Sequence, residues 1–250
     1  MGRALIRAAR HDQRFRIAGG TERGDAVGRD LGALAGGEAL GIAARAEAGP
    51  ASHGADIWID FTTPAATLDA LRQIKTRAAI VGTTGFDEAG RAQIADRAKS
   101  MPIVFAGNFS LGVTLLAALV EQTAAKLGPD WDIEIADAHH RRKIDAPSGT
   151  ALMLGEAAAR GRDASLQQKR LPPHDGETGP RPEGGIGFSV TRAGGIVGAH
   201  DVRFAAEREI VTLSHQALDR AVFADGALAA ALWAAAKPPG LYSMRDVLGL

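Results

Sequence analysis

The segment IWIDFTTPAATLDALRQIKTRAAIVGTTGFDEAGRAQIADRAKSMPIVFAG, residues 57–107, decides the fold. Ile57 to Phe61 (IWIDF), Arg77 to Gly82 (RAAIVG) and Pro102 to Ala106 (PIVFA) are short apolar runs rich in branched side chains, which read as buried strands. Pro64 to Ile74 opens with proline in its first turn, and Asp87 to Ala98 is a second run of helix formers; both read as helices. Strands alternating with helices predict a mostly parallel sheet with helices on both faces. Such a sheet binds ligands beyond the carboxyl ends of its strands. Toward the N-terminus, Gly2 to Ala9 reads as a helix and Phe15 to Gly19 (FRIAG) as a further strand.

After Leu111 to Leu127, a long helix with apolar periodicity, the pattern changes. Asp132-Ile133-Glu134-Ile135 alternates as a half-buried strand does, and Ala151 to Arg160 is rich in helix formers. Three strand-like runs follow the Gly/Pro-rich stretch 171–185: Ile186 to Thr191, Ile196 to Phe204 and Glu209 to His215. Gly194-Gly195, between the first two, predicts a hairpin turn and hence a mainly antiparallel sheet in an α+β region. The Gly/Pro stretch exceeds the usual loop length and is expected to be a mobile segment. Arg220 to Ala236 returns to a helical pattern.

The chemistry concentrates in Asp137-Ala138-His139-His140-Arg141-Arg142-Lys143-Ile144-Asp145-Ala146-Pro147-Ser148-Gly149-Thr150, at the end of the alternating strand. Its cations leave the strand just before Ala151 to Arg160 presents the first free N–H groups of a helix, and those groups bind anions. Lys and His beside them suit a carboxylate-bearing substrate that must also receive a proton. Taken singly, a histidine is usually structural and Arg141-Arg142 a solvated face. The His139-His140 pair does not suggest a metal, because adjacent strand residues point to opposite faces and no cysteine or HExxH pattern completes a zinc set.

Composition narrows the classes further. Lys plus Arg and Asp plus Glu both number 29, so bulk charge argues for neither a nucleic-acid binder nor a polybasic membrane protein. Cysteine is absent, which excludes disulfides and thiolate metal sites. No apolar run reaches the roughly 18 residues of a spanning helix, and the Met1 to Arg7 segment lacks the apolar core of a secretory signal. The chain reads as soluble and cytoplasmic.

The run His139-His140-Arg141-Arg142-Lys143-Ile144-Asp145-Ala146-Pro147-Ser148-Gly149-Thr150 resembles the signature of the 4-hydroxy-tetrahydrodipicolinate (dihydrodipicolinate) reductase family of lysine and diaminopimelate biosynthesis. So, in family order, do Asp60-Phe61-Thr62, Val81 to Phe86, Ala106 to Ser110 and Gly240 to Leu248. The resemblance covers essentially the whole chain. It implies a Rossmann-like dinucleotide-binding domain over residues 1–109 and 221–250, and a substrate-binding and oligomerisation domain over 110–220. It implies NADH or NADPH as cofactor, a small dicarboxylate substrate, no membrane or nucleic-acid partner, and a homotetramer. It assigns His139 and Lys143 as proton donors, and His140, Ser148, Gly149 and Thr150 to the substrate. Met1, Gly2, Glu22, Arg23, Gly82, Thr83, Thr84, Ala106, Gly107, Asn108 and Phe109 fall to the cofactor, with no metal. Glu22 would meet the adenosine ribose hydroxyls and Arg23 a 2′-phosphate.

One departure concerns the start. Dinucleotide-binding folds open with a strand, then G-x-G-x-x-G leading into a helix, then an acidic residue about 20 positions on. Here Gly2 stands as the last of those glycines and Glu22 as the acid, and the first strand and earlier glycines are missing. The expectation is that the chain as written binds NAD(P)H poorly and is unstable alone. The competing expectation is a non-catalytic family member that binds dicarboxylates or only assembles with other subunits.

Overall fold

The computed structural model describes residues 1–173 and 175–250. His174, within the stretch expected to be mobile, lies outside the described residues. The chain divides into two compact units, Met1–Leu111 with Ala221–Leu250, and Gly112–Arg220.

In the first unit, α1 (Gly2–Arg10) and the short α2 (Leu31–Leu34) and α3 (Ala48–Ala51) precede the alternating segment. That segment gives β1 (Ile57–Asp60), α4 (Pro64–Gln73), β2 (Ala78–Val81), α5 (Glu88–Ala98) and β3 (Pro102–Phe105). After the second unit the chain returns as α9 (Val222–Ala234), β8 (Gly240–Tyr242) and α10 (Met244–Leu248). The strands form a parallel sheet in the order β1-β2-β3-β8. Strand side chains alternate between faces, so the continuous apolar run of β2 serves two cores. Ala78 and Ile80 pack with Leu5 of α1 and Ala227 and Ala231 of α9. Ala79 and Val81 pack with Leu71 of α4 and Ile94 of α5.

The FRIAG segment is a correction: residues 15–19 form no strand. A strand exists only through a partner's backbone groups, and the ladder contact closest to it is an isolated bridge between Thr21 and Arg45. Between this segment and β1 lies a cavity of about 630 Å³, lined by Phe15 to Glu22 on one side and Ile57 to Thr62 on the other. Among the described residues β1 pairs only with β2, so the backbone groups along its other side face this cavity.

The second unit begins with α6 (Leu111–Lys126), whose first residue belongs to the first unit. It continues through β4 (Asp132–His139), α7 (Gly149–Gly161), α8 (Leu166–Lys169), β5 (Ile186–Arg192), β6 (Gly198–Ala205) and β7 (Ile210–Ala217). The sheet order is β5-β4-β6-β7. The expected Gly194-Gly195 hairpin is a second correction, because β5 and β6 are not neighbours. β4 lies between them, parallel to β5 and antiparallel to β6. The link 193–197 arches over the end of β4, where Ala193 N–H donates to the His139 carbonyl at 2.9 Å. The backbone groups of β4 point to both sides in the sheet plane, so it carries a ladder to each neighbour. In the Gly/Pro stretch, Arg181 ties the chain back to β4 through Glu134 at 2.9 Å and the Ile133 carbonyl at 2.6 Å.

A free edge on β1 has a measurable consequence. In hydrogen exchange, the amides of β2, paired on both sides, should exchange slowly, whereas those of β1 facing the cavity should exchange orders of magnitude faster, as expected for unpaired backbone groups. Uniform protection along β1 would show that its outer edge is paired in solution.

Candidate active site

One face of the mixed sheet runs from core to chemistry. Ile133 opposes Phe204 and Ile135 opposes Val202, all buried beneath α6 and α7. Two residues further, Asp137 opposes His200, and His139 opposes Arg192 on β5. The period-two phase that buries the isoleucines therefore delivers a carboxylate and a histidine to the same face.

Asp137 is 1% exposed, and a buried charge persists only when it is paired and hydrogen-bonded. Ser148 supplies two such bonds, from its N–H to Oδ2 and from its hydroxyl to Oδ1, both 2.8 Å. Arg192 Nη2 donates to Oδ2 at 3.0 Å, and His200 Nε2 lies 3.2 Å from Oδ1. His139 Nδ1 sits 2.9 Å from Oδ1. That approach is off the N–H direction, so Nδ1 counts as close to the charge without a well-formed hydrogen bond. Burial pushes the Asp137 carboxyl upward, but the bonds from His200, Ser148 and Arg192 outweigh it and hold the group well below the usual carboxylate range.

His139 is displaced the other way. Burial pushes its imidazole below the ordinary value, the Asp137 charge opposes this, and His200, Lys143 and Arg192 add to it. Burial, with His200 beside it, likewise lowers His215. Lys143 reaches Asp145 at 2.8 Å, and the same loop is pinned where Arg192 Nη2 donates to the Asp145 carbonyl at 2.6 Å. His140 Nδ1 is buried without a hydrogen-bond partner, so its ring keeps a polar atom unspent.

The start of α7 is set by Ser148, the N-cap, whose hydroxyl accepts from Ala151 N–H at 3.2 Å. The N–H and the hydroxyl of Ser148 both bond Asp137, so the residue fixes the start of α7 against that carboxylate. Gly149 is exposed, and a Cβ there would meet nothing within 4 Å. Thr150 follows, half-buried. Asp137, His200 and the helix start at Ser148 thus form one bonded cluster, with His139 against it.

Asp137, His139 and His200 also place three metal-type ligand atoms within 4.8 Å of one another. The carboxylate is already occupied by Ser148 and Arg192, and the Arg192 charge opposes a cation there. The cluster reads as a charge-positioning network. Sequence reasoning did not single out Asp137, Arg192 or His200. The available signal was phase, since Asp137 follows Ile133 and Ile135, and His200 precedes Val202 and Phe204, on faces that are otherwise apolar.

In the first unit, the carboxyl ends of β1, β2 and β3 carry the residues assigned to a cofactor. Asp60, buried, accepts from the Thr62 hydroxyl at 2.6 Å, and the Thr67 hydroxyl lies 3.1 Å from the same carboxylate and 2.8 Å from the Thr83 hydroxyl. Thr83 is therefore spent on fixing these turns. Gly82 has its own constraint, because a Cβ there would run into the Phe61 ring. Phe109 is 1% exposed and packs edge-on against Phe61, 5.2 Å between centroids, so its ring is core. Thr84 and Gly107 are exposed, Ala106 half-buried, and a Cβ on Gly107 would meet only the Thr84 methyl at 3.8 Å. A flat ring could approach that backbone closely. Asn108 accepts from Ser110 N–H at 2.8 Å. Glu22 is half-buried and held by its N–H to the Arg45 carbonyl at 2.9 Å, with Arg23 exposed beside it. Met1 and Gly2 begin α1, which has no side-chain cap on its first amides. These features fit a dinucleotide in part: an uncapped helix start, an acid at Glu22 and an open turn at Gly107.

A parallel-sheet unit of this kind joined to a mixed-sheet unit bearing a His, a Lys and the start of a helix on one strand end and loop defines a Rossmann-like, dinucleotide-dependent class of protein. The chain belongs to the dihydrodipicolinate reductase family: residues 1–109 match the model of that family's N-terminus and residues 112–248 the model of its C-terminus. It is 52% identical over 254 residues to the 4-hydroxy-tetrahydrodipicolinate reductase of Cereibacter sphaeroides (strain KD131), covering 100% of this chain and 94% of the relative. Identity to the enzyme of the same name from Dinoroseobacter shibae is also 52%, with the same coverage. Among solved structures it resembles dipicolinate-bound dihydrodipicolinate reductase from Paenisporosarcina sp. TG-14, with TM-score 0.75 and 22% identity over 98% of this chain and 94% of that one. That likeness speaks for the fold.

The histidines give the site a pH signature. His139 and His215 titrate below their ordinary value when folded, while the unfolded chain takes up protons near pH 6.5. Below that pH the unfolded state binds more protons, so stability should fall as pH drops from 7.5 to 5.5. The depressed Asp137 carboxyl adds a further loss only below about pH 4, its unfolded value. Melting temperature against pH checks this: His215→Gln should flatten part of the slope, and a pH-independent melting temperature over the upper range would contradict the burial argument.

Proposed function

We propose that the chain reduces 4-hydroxy-tetrahydrodipicolinate with NADH or NADPH, giving tetrahydrodipicolinate, NAD(P)⁺ and water, in lysine and diaminopimelate biosynthesis. The observation that carries this reading is the end-to-end family match, with both halves of the family represented in chain order. The Cereibacter and Dinoroseobacter relatives carry the reductase name, and dipicolinate bound to the Paenisporosarcina protein has the dicarboxylate chemistry expected of the ligand.

Bound NAD(P)H supplies the hydride; one proton is consumed and the 4-hydroxyl leaves as water. The protein's part is orientation and proton supply. His139 and Lys143 are the proton donors, on the same strand end and loop. Gly149 and Thr150 receive one substrate carboxylate at the start of α7, where backbone N–H groups and the helix dipole favour an anion. His140 helps hold the substrate. Glu22 takes the adenosine ribose, Arg23 a 2′-phosphate, and the turns at Thr84, Ala106, Gly107 and Asn108 the nicotinamide end. Gly82, Thr83 and Phe109 act behind them, holding the turns in shape. The domains follow the boundaries 1–109 with 221–250, and 110–220. The working form is a cytoplasmic homotetramer joined through the mixed sheet, whose second face carries the row Glu134, Arg203 and Thr212. His139 at the end of β4, Lys143 in the loop after it and the start of α7 lie close together along the second unit, which supports an active enzyme over a non-catalytic member.

Replacing His139 by Gln or Lys143 by Ala should lower kcat by about 10²–10⁴-fold with the melting temperature preserved, the usual value of positioned acid catalysis. Pyridine-2,6-dicarboxylate should inhibit competitively with substrate. Full activity in folded Lys143→Ala, or a dicarboxylate that fails to compete, would move the chemistry elsewhere.

The cofactor assignment has its own measurement. Arg23→Ala should weaken NADPH binding by about 1–3 kcal/mol, the range for a lost charge-assisted hydrogen bond, and leave NADH binding nearly unchanged. Equal losses in fluorescence titrations would remove Arg23 from the 2′-phosphate.

A further inference from the structure

The Asp137 carboxylate beside His139 is fully buried, and the proton-transfer chemistry proposed above does not use it. Every group around it belongs to a different piece of the site. Ser148 begins the helix that receives the substrate carboxylate, bonding Asp137 twice at 2.8 Å. Arg192 ends β5 and holds the loop of Lys143 through the Asp145 carbonyl. His200 comes from β6, 3.2 Å away. His139 stands two residues along β4 on the same face, with Nδ1 at 2.9 Å.

The histidine's other nitrogen has a different outlook. Its side chain is 12% exposed, and the atom nearest to a Cβ built on Gly198 is His139 Nε2, at 3.2 Å. Gly198, itself buried, lies beside Nε2, and a side chain there would press on the ring. Nδ1 faces a buried anion, and Nε2 lies on the other side of the ring, beside Gly198. A neutral imidazole has one N–H and one acceptor nitrogen, and its surroundings decide which nitrogen holds the proton.

We propose that Asp137 is the positioning residue of this site. Its carboxylate fixes the His139 ring with Nδ1 toward it and Nε2 away from it, and through Ser148 and Arg192 it keeps the helix start and the Lys143 loop in register with that ring. Resting on the reductase reading, this adds the group that sets the acid's orientation and charge. The charged and titratable groups facing His139 are Asp137 from its own strand, His200 from β6, Arg192 from β5 and Lys143 from the loop. Only Asp137 among them favours the protonated imidazole. Removing its charge must lower the His139 titration, because an opposite charge at this distance raises a histidine by about one unit or more.

The test pairs two measurements on the full chain. In the unmodified protein without substrate, nitrogen-15 NMR of the histidines reads the neutral tautomer of His139 directly; protonation at Nδ1 is expected, and protonation at Nε2 overturns the proposal. Asp137→Asn keeps the volume and an oxygen for the Ser148 N–H. It should fold, lose at least about tenfold in kcat with little change in KM, and shift the alkaline limb of the kcat/KM profile to lower pH by about one unit. Ser148→Ala, which removes a bond and keeps the charge, should lower the melting temperature and leave that limb in place. A folded Asp137→Asn enzyme with unchanged kcat and an unmoved limb refutes the role. Should that variant fail to fold, the tautomer measurement still decides. Because the tautomer is read without turnover, a failure of the reductase reading itself, seen as no turnover in the unmodified protein, remains a separate result.

Discussion

A single buried anion organises the second unit. Asp137 lies on the sheet face that buries Ile133 and Ile135, where an unpaired charge would cost several kcal/mol. The fold meets that cost with donors drawn from β5, β6 and the start of α7. Each donor is thereby fixed in place relative to the others. The order of the sheet matters for the same reason: only with β4 central, between β5 and β6, can Arg192 and His200 flank one carboxylate from both sides.

The first unit uses the same device in a milder form. Asp60 ends β1 and gathers Thr62, Thr67 and Thr83, tying the turn after β1 to the turn after β2. Turns at the carboxyl ends of parallel strands otherwise have few constraints, and this network defines their shape without using the exposed atoms. Thr84 and Gly107 remain outward while Thr83, Gly82 and Phe109 are absorbed behind them.

The sequence showed the parts of the fold that depend on local pattern. The continuous runs 78–81 and 102–105 read as buried strands because both their faces are covered, and Pro64 and Asp87 announced their helices through terminal chemistry. The FRIAG segment and the Gly194-Gly195 turn misled for a shared reason: pairing is a property of two segments, and neither run says which neighbour it meets. The site divides along the same line. His139, Lys143 and the helix start at Ser148 to Thr150 lie within a dozen positions and could be read together. Arg192 and His200 stand more than fifty residues from Asp137 and are joined to it only by register. Glycine and threonine at the strand ends suggested cofactor contact by their type, and only packing separates Gly107, which is open, from Gly82, which the Phe61 ring fills.

The balance of charge around His139 bears on how such a site would acquire its proton. Burial and the three neighbouring basic groups hold the imidazole below its ordinary value, against the one anion that supports it. The resting histidine is therefore inclined to be neutral near pH 7. On the proposed reading, a dicarboxylate bound at the start of α7 would bring two negative charges close to the same ring, and opposite charge raises a histidine's titration. Substrate binding then draws a proton onto His139, so that, on the proposed reading, the acid is armed by the ligand it serves. The order follows from electrostatics: a site that held a permanent imidazolium among Lys143 and Arg192 would cost stability in every unliganded molecule, whereas one charged on binding incurs that cost only when the substrate's carboxylates offset it.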